Sequence, residues 1–172
     1  MFEYQGRVNQ LEAFVDTDYA GCRRTRKSAS GGLIRLGLHT IKTWSITQSI
    51  VTLSSGEAEY YGLVRGSYVA LGTKGLLRDL GLELGILVLT DASAAIGIAQ
   101  RRGVGEVRHI AVHQLWLQDR VARRDIRVRK VEGTKNPADT LTKYVDATKL
   151  REHMQRVHMQ EETGRHELAP EV

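Results

Sequence analysis

The segment GILVLTD, residues 85–91, is an apolar run that ends on an acid. A bilayer span takes about 20 apolar residues, so this run is far too short for one. A short unbroken apolar strand is suited to burial on both faces, which places it inside a sheet covered on two sides. That requirement constrains everything around it. Helices must flank the strand, and the chain must be long enough to supply both layers.

The neighbouring periodicities meet the requirement. Residues 11–19, LEAFVDTDY, alternate as a strand, with Phe14, Asp16 and Asp18 on one face. Residues 31–38 and 40–47 read as two strands joined by a tight turn. From Ser54 the period becomes helical, through Tyr60, Leu63, Val64, Ser67 and Leu71 towards Leu77 and Leu80. Gly62, Gly66, Gly72 and Gly75 oppose that helix, since each glycine costs about 1 kcal/mol there. After the apolar strand come a short helix (92–102), a third segment with helical spacing (107–124), a strand (125–132), a helix opening within 136–144 and another within 146–160. The order β-β-β-α-β-α-α-β-α starts as a meander. The later strands arrive through helices and should therefore lie parallel to the first. The expected fold is α/β, a three-layer sheet of mixed direction.

With 172 residues, a single domain and a tail are expected. The boundaries expected are a domain over 1–145, a helical extension over 146–160 and a disordered tail over 161–172. The lone Cys22 excludes an internal disulfide framework and a cysteine-based zinc cage. It fits a reducing, intracellular setting. MFEYQGRVNQ has no signal-peptide core, so a non-secreted protein without membrane attachment is expected. The net charge is +5. Arg23, Arg24, Arg26 and Lys27 cluster in one segment, Arg101 and Arg102 in another, and RVARRDIRVRK forms a third. Such clusters track a phosphate backbone or form a solvated surface.

The acids carry the chemistry. Ligands in open α/β sheets bind beyond the carboxyl ends of strands, where Asp16 and Asp91 would converge if their strands are neighbours. Helices starting near residues 54 and 136 can add further carboxylates. Such a cluster needs a cation, and hard oxygen donors point to Mg²⁺ or Mn²⁺. Each acid also has a structural explanation. Asp91 suits an N-cap, Asp139 follows Asn136 and Pro137 at a helix start, and Asp18 competes with Asp16. In LSSGEAEYYGL, Ser54 and Glu57 match the S-x-x-E capping box, with Glu57 expected to reach back to the N-cap backbone. Glu59 has no part in that scheme and lies roughly 200° from Glu57 around the helix, where its structural alternative is a solvated helix charge.

Six stretches in series, VDTDYAG, RKSASGG, TWSITQSIVTLSSGEAEYYGL, LTDASAAI, VRHIAVH and VEGTKNPADTLTK, resemble the ribonuclease H domain of copia-type LTR-retrotransposon Pol polyproteins. The resemblance covers about residues 11–145. It implies an RNase H-like fold, a five-stranded mixed sheet of order 3-2-1-4-5 with strand 2 antiparallel. It implies that Asp16, Glu59, Asp91 and Asp139 are catalytic and hold two Mg²⁺ ions, with Mn²⁺ able to substitute. Asp16 would bridge both ions, Asp139 would complete the site that activates water, and Glu59 and Asp91 would complete the other. The implied reaction is endonucleolytic cleavage of the RNA strand of an RNA–DNA hybrid, beside a reverse transcriptase domain in the same polyprotein. On that reading Arg23, Arg24, Arg26, Lys27, Arg101, Arg102 and His109 are the candidate nucleic-acid contacts. Tyr19 stands where the family usually has tryptophan, and Ala92 where it often has asparagine. Two other readings stay open, a decayed or domesticated copy that binds without cutting and another RNase H-like nuclease of integrase or resolvase type.

Overall fold

The computed structural model describes residues 4–103, 105, 110 and 114–159. Five strands form one sheet: β1 (Gln10–Asp18), β2 (Ala29–Leu36), β3 (His39–Thr47), β4 (Gly85–Thr90) and β5 (Ile126–Lys130). Their order is β3-β2-β1-β4-β5. β2 is antiparallel to both β1 and β3. β4 runs parallel to β1, and β5 runs parallel to β4. The fold is RNase H-like, as expected.

β4 is covered on both faces, as its composition requires. Ile86 and Val88 enter a core with Leu11, Ala13 and Val15 of β1 and with helix α1 (Ser55–Asp79). Helices α2 (Ser93–Gln100) and α3 (Trp116–Ala122) complete that layer through Ala95, Ile98, Ala99 and Leu117. Leu89 faces the other way, into a smaller core of Phe14, Leu33, Ala138 and Val157. Val157 immediately follows α4 (Ala147–Arg156), whose N-cap Asp146 accepts from the Lys149 N–H at 2.9 Å. Its carbonyl accepts from Thr40 Oγ1 at 3.2 Å, so this C-terminal segment is tied to β3.

The glycines of α1 divide by position. A Cβ on Gly62 would lie 2.2 Å from Thr17 Oγ1, and one on Gly66 would lie 2.2 Å from Val15 Cγ1. These two let the helix lie closely on β1, a gain that offsets their poor helix propensity. Gly72 and Gly75 have nothing within 4 Å of such a Cβ.

Three local expectations change. The segment expected to be helical over 107–124 is helical only from Trp116 among the described residues, and it stops at Ala122. Arg124 takes a positive φ of 63°, which ends the helix and turns the chain into β5. In place of a helix opening within 136–144 is a 3₁₀ turn, Pro137–Leu141, preceded by another at Gly133–Lys135. Asn136 anchors the Pro137–Leu141 turn. Its Nδ2 donates to the Val15 carbonyl at 2.9 Å, and its Oδ1 accepts from the Ala138 N–H at 3.2 Å. The tighter i→i+3 closure keeps this segment short against the sheet. Finally, Ser54 caps α1 by accepting from the Glu57 N–H at 3.1 Å, but Glu57 reaches Leu53 N–H at 2.7 Å, one residue before the cap. His109 and residues 161–172 lie outside the described residues.

Candidate active site

The carboxyl ends of β1, β4 and β5 share one edge of the sheet, and α1 starts there. Asp16 sits two residues from the end of β1 with 1% exposure. Asp91 follows the last residue of β4. Glu59 lies in the second turn of α1. One carboxylate oxygen from each of Asp16, Glu59 and Asp91 lies within 4.8 Å of the other two.

The competing explanations separate at this edge. Asp18 Oδ1 accepts from the Ala29 N–H and so closes the β1–β2 pair, which leaves Asp16 as the acid in the cluster. Asp91 is not a helix cap. The N-cap of α2 is Ala92, which makes no side-chain cap bond, and Thr90 Oγ1 accepts from the Ala92 N–H at 3.2 Å. Glu57 is spent on the cap of α1, while Glu59 Oε2 is buried without a hydrogen-bond partner. Such an orphan oxygen carries a large desolvation penalty unless a cation or proton meets it.

The electrostatics agree. Burial pushes the Glu59 carboxyl up to about 8, and the charges of Asp16 and Asp91 add to that rise. Burial also raises Asp16, against a hydrogen bond from Thr142 and the charge of Lys143. Buried acids that repel one another favour a bound proton or a shared cation. An all-oxygen donor set fits a hard divalent ion, Mg²⁺ or Mn²⁺, so the residues present suit the metal that the fold implies.

Asp139 stands apart from the three-acid group. It lies on the 3₁₀ turn that packs over Asp16, and Lys143 Nζ pairs with its Oδ1. The same ammonium is 3.4 Å from Asp16 Oδ2, and Thr142 Oγ1 donates to that oxygen. Gly31, opposite Asp16 in β2, makes this approach possible, because a Cβ there would lie 2.8 Å from both Leu141 and Thr142. Thr142 and Lys143 were not singled out from the sequence. The four-residue spacing from Asp139 to Lys143 was the available signal, since such pairs meet on one face of a helical turn.

Of the basic residues, Arg23, Arg24 and Arg26 are exposed and Lys27 is half-buried, in the loop that leads from β1 to β2 at the acidic edge. Arg102 is exposed and Arg101 half-buried beyond α2. The third cluster is largely engaged within the fold. Arg120 pairs with Asp125 at 2.9 Å, Arg123 with Asp119 at 3.0 Å, and Arg127 donates to Gln10. A groove of about 450 Å³ lies between the end of β3, α1 and residues 114–116, with Gln48, Tyr61, Arg65, Tyr68, Gln114 and Trp116 among its walls.

The sheet order and the acids at its edge define a ribonuclease H-like domain, and solved structures agree on the fold. The chain matches LC11-RNase H1, isolated from compost by a metagenomic approach, with a TM-score of 0.52 and 20% identity, over 77% of this chain and 92% of that one. It matches the N-terminal RNase H domain of rv2228c from Mycobacterium tuberculosis at a TM-score of 0.52 and 20% identity, over 88% of this chain and 97% of that one. LC11-RNase H1 has also been solved in complex with an RNA/DNA hybrid, and that structure matches at a TM-score of 0.51 and 19% identity, over 77% of this chain and 93% of that one. No protein-family profile matches the chain.

Sequence relatives give the particular lineage: the chain is a homologue of copia-type retrotransposon Pol polyproteins. It is 32% identical over 142 residues to the Pol polyprotein of transposon TNT 1-94 from Nicotiana tabacum, covering 81% of this chain and 11% of that polyprotein. It is 30% identical over 151 residues to the Pol polyprotein of transposon RE1 from Arabidopsis thaliana, covering 86% of this chain and 10% of that one. The chain thus spans about a tenth of the length of these relatives. Among the described residues, no helix is long and apolar enough to cross a membrane.

Proposed function

We propose that this domain hydrolyses the RNA strand of RNA–DNA hybrids in a reaction that depends on divalent metal. The observation that carries this reading is the convergence of Asp16, Glu59 and Asp91 at the carboxyl edge of an RNase H fold, with the buried Glu59 Oε2 unpartnered. Asp16, Glu59 and Asp91 would hold one ion, and Asp16 with Asp139 a second. Two such ions, when bound, supply Lewis acidity to both the attacking and the leaving oxygen of a phosphodiester.

The protein's own groups do the positioning. Asn136 fixes the 3₁₀ turn to the Val15 carbonyl, which holds Asp139 beside Asp16. Thr142 orients the Asp16 carboxylate through its hydroxyl. The Arg23–Lys27 loop offers exposed positive charge for backbone phosphates on the same side, with Arg102 as a further contact. The RNA strand is distinguished by its 2′-hydroxyls, displayed in a wide minor groove. The fold neighbour solved with an RNA/DNA hybrid supports that substrate class. The Pol relatives support a working context within a polyprotein, where the family resemblance implies a neighbouring reverse transcriptase.

A labelled hybrid incubated with the protein and Mg²⁺, Mn²⁺ or chelator tests this. Cleavage of the RNA strand is expected with either metal and not with chelator. Asp16→Asn and Glu59→Gln should each lower the rate by at least about 100-fold, because losing a ligand forfeits Lewis-acid stabilisation worth several kcal/mol. Hybrid binding with no cutting in any metal would instead identify a binding module.

A further inference from the structure

Asp16 and Asp139 already share a cation, and it belongs to the protein. Lys143 Nζ pairs with Asp139 Oδ1 and lies 3.4 Å from Asp16 Oδ2. The Asp16 side chain is 2% exposed, whereas that of Lys143 is 47% exposed, so the ammonium reaches the acids from the solvent side. Glu59 and Asp91 meet Asp16 without Asp139. The acids therefore fall into two sets that share Asp16, and among the described residues a side-chain cation bridges only the pair Asp16 and Asp139.

Resting on the reading of this edge as a divalent-metal centre, we propose that Lys143 is a displaceable counter-cation that sets the order of metal loading. The first ion enters at Asp16, Glu59 and Asp91. A second ion at Asp16 and Asp139 must expel the Lys143 ammonium, because two cations cannot occupy one pair of carboxylates without strong repulsion. The half-exposed lysine stem leaves the ammonium free to swing towards solvent, where a polyanionic substrate supplies a new partner. Nucleic acid thereby favours loading of the second ion.

Mn²⁺ binding to the metal-free protein, followed by calorimetry without nucleic acid, tests the order independently of cleavage. The wild type should bind one ion well before a second. Lys143→Met and Lys143→Gln should bind the second ion about tenfold more tightly, equivalent to about 1.4 kcal/mol. Lys143→Arg should keep it weak, and Asp139→Asn in the Lys143→Met background should remove it. Adding a hybrid made uncleavable by 2′-O-methylation should tighten the second ion in the wild type and narrow the gap to Lys143→Met. If both neutral variants fold and bind the second ion no better than the wild type, while Asp16→Asn still removes the first, the lysine has no such role and the metal centre stands. If no variant binds Mn²⁺ at all, the metal-centre reading falls and takes this proposal with it.

Discussion

Replacing Glu59 with glutamine keeps the shape of the side chain and removes a charge that burial and two neighbouring carboxylates oppose. In the metal-free protein this carboxyl is raised from 4.5 to about 8. Below pH 4.5 both the folded and unfolded chains hold the proton, and the group has no effect on stability. Between 4.5 and 8 the unfolded chain releases it and the folded chain retains it, so stability falls as pH rises. At about 1.4 kcal/mol per pH unit, the loss reaches an upper bound of roughly 3 kcal/mol by pH 7. The glutamine amide is neutral and buried like the protonated carboxyl it replaces, so the variant escapes most of that loss, roughly 1–3 kcal/mol. A domain of this size shifts its melting point by about 2–4 °C per kcal/mol. In chelator, Glu59→Gln is therefore expected to melt at least about 2 °C above the wild type at pH 8, and at the same temperature as the wild type near pH 4.5. Mg²⁺ should stabilise the wild type more than the variant, because binding to the folded state raises its stability by mass action. Thermal melts from pH 4.5 to 8.5, with and without Mg²⁺, measure both effects. A wild type whose stability is flat across that range in chelator would refute the reasoning, as would a variant no more stable at pH 8.

Other consequences concern packing and caps. Gly66→Ala should destabilise by roughly 1–3 kcal/mol, because the new Cβ meets Val15. Gly72→Ala should stabilise by about 0.5–1 kcal/mol in the same helix, and chemical denaturation of the pair checks both signs. Ala92→Asn should add about 0.5–2 kcal/mol, because the N-cap of α2 has no side-chain bond, and no gain in denaturation midpoint would count against it. Val157→Ala should cost roughly 1–3 kcal/mol, measured in the same way, because it opens the second core against Phe14 and Leu33.

Some of these features were readable from the residues alone. The apolar β4, the alternating β1 and β5, and the helical stripe of α1 each carry a local period, and period follows from backbone geometry. Ser54 and Glu57 identified their own cap, which left Glu59 for other work, and the same glutamate meets Asp16 and Asp91. The glycines of α1 were legible only as a penalty. That Gly62 and Gly66 admit β1, while Gly72 and Gly75 admit nothing, depends on which face the sheet covers.

The site divides along the same line. Local chemistry named the acids but left Asp16 against Asp18 and allowed Asp91 to be a cap. The β1–β2 pairing decided the first, because Asp18 spends an oxygen on Ala29 N–H. The backbone at the start of α2 decided the second, since its cap falls on Ala92. The spacing of Asp139 and Lys143 allowed their pair, but the 3₁₀ turn at Pro137–Leu141 that also brings the Lys143 ammonium to Asp16 had no sequence signal of its own. The sequence by itself determined the strand periods, the helical stripe of α1, its Ser54 cap and the list of acids, because each is set within a few residues. Tertiary structure alone decided which acids meet, because a carboxylate's neighbours across 75 or 123 residues of chain are fixed only when β1, β4 and the turn after β5 are brought to one edge.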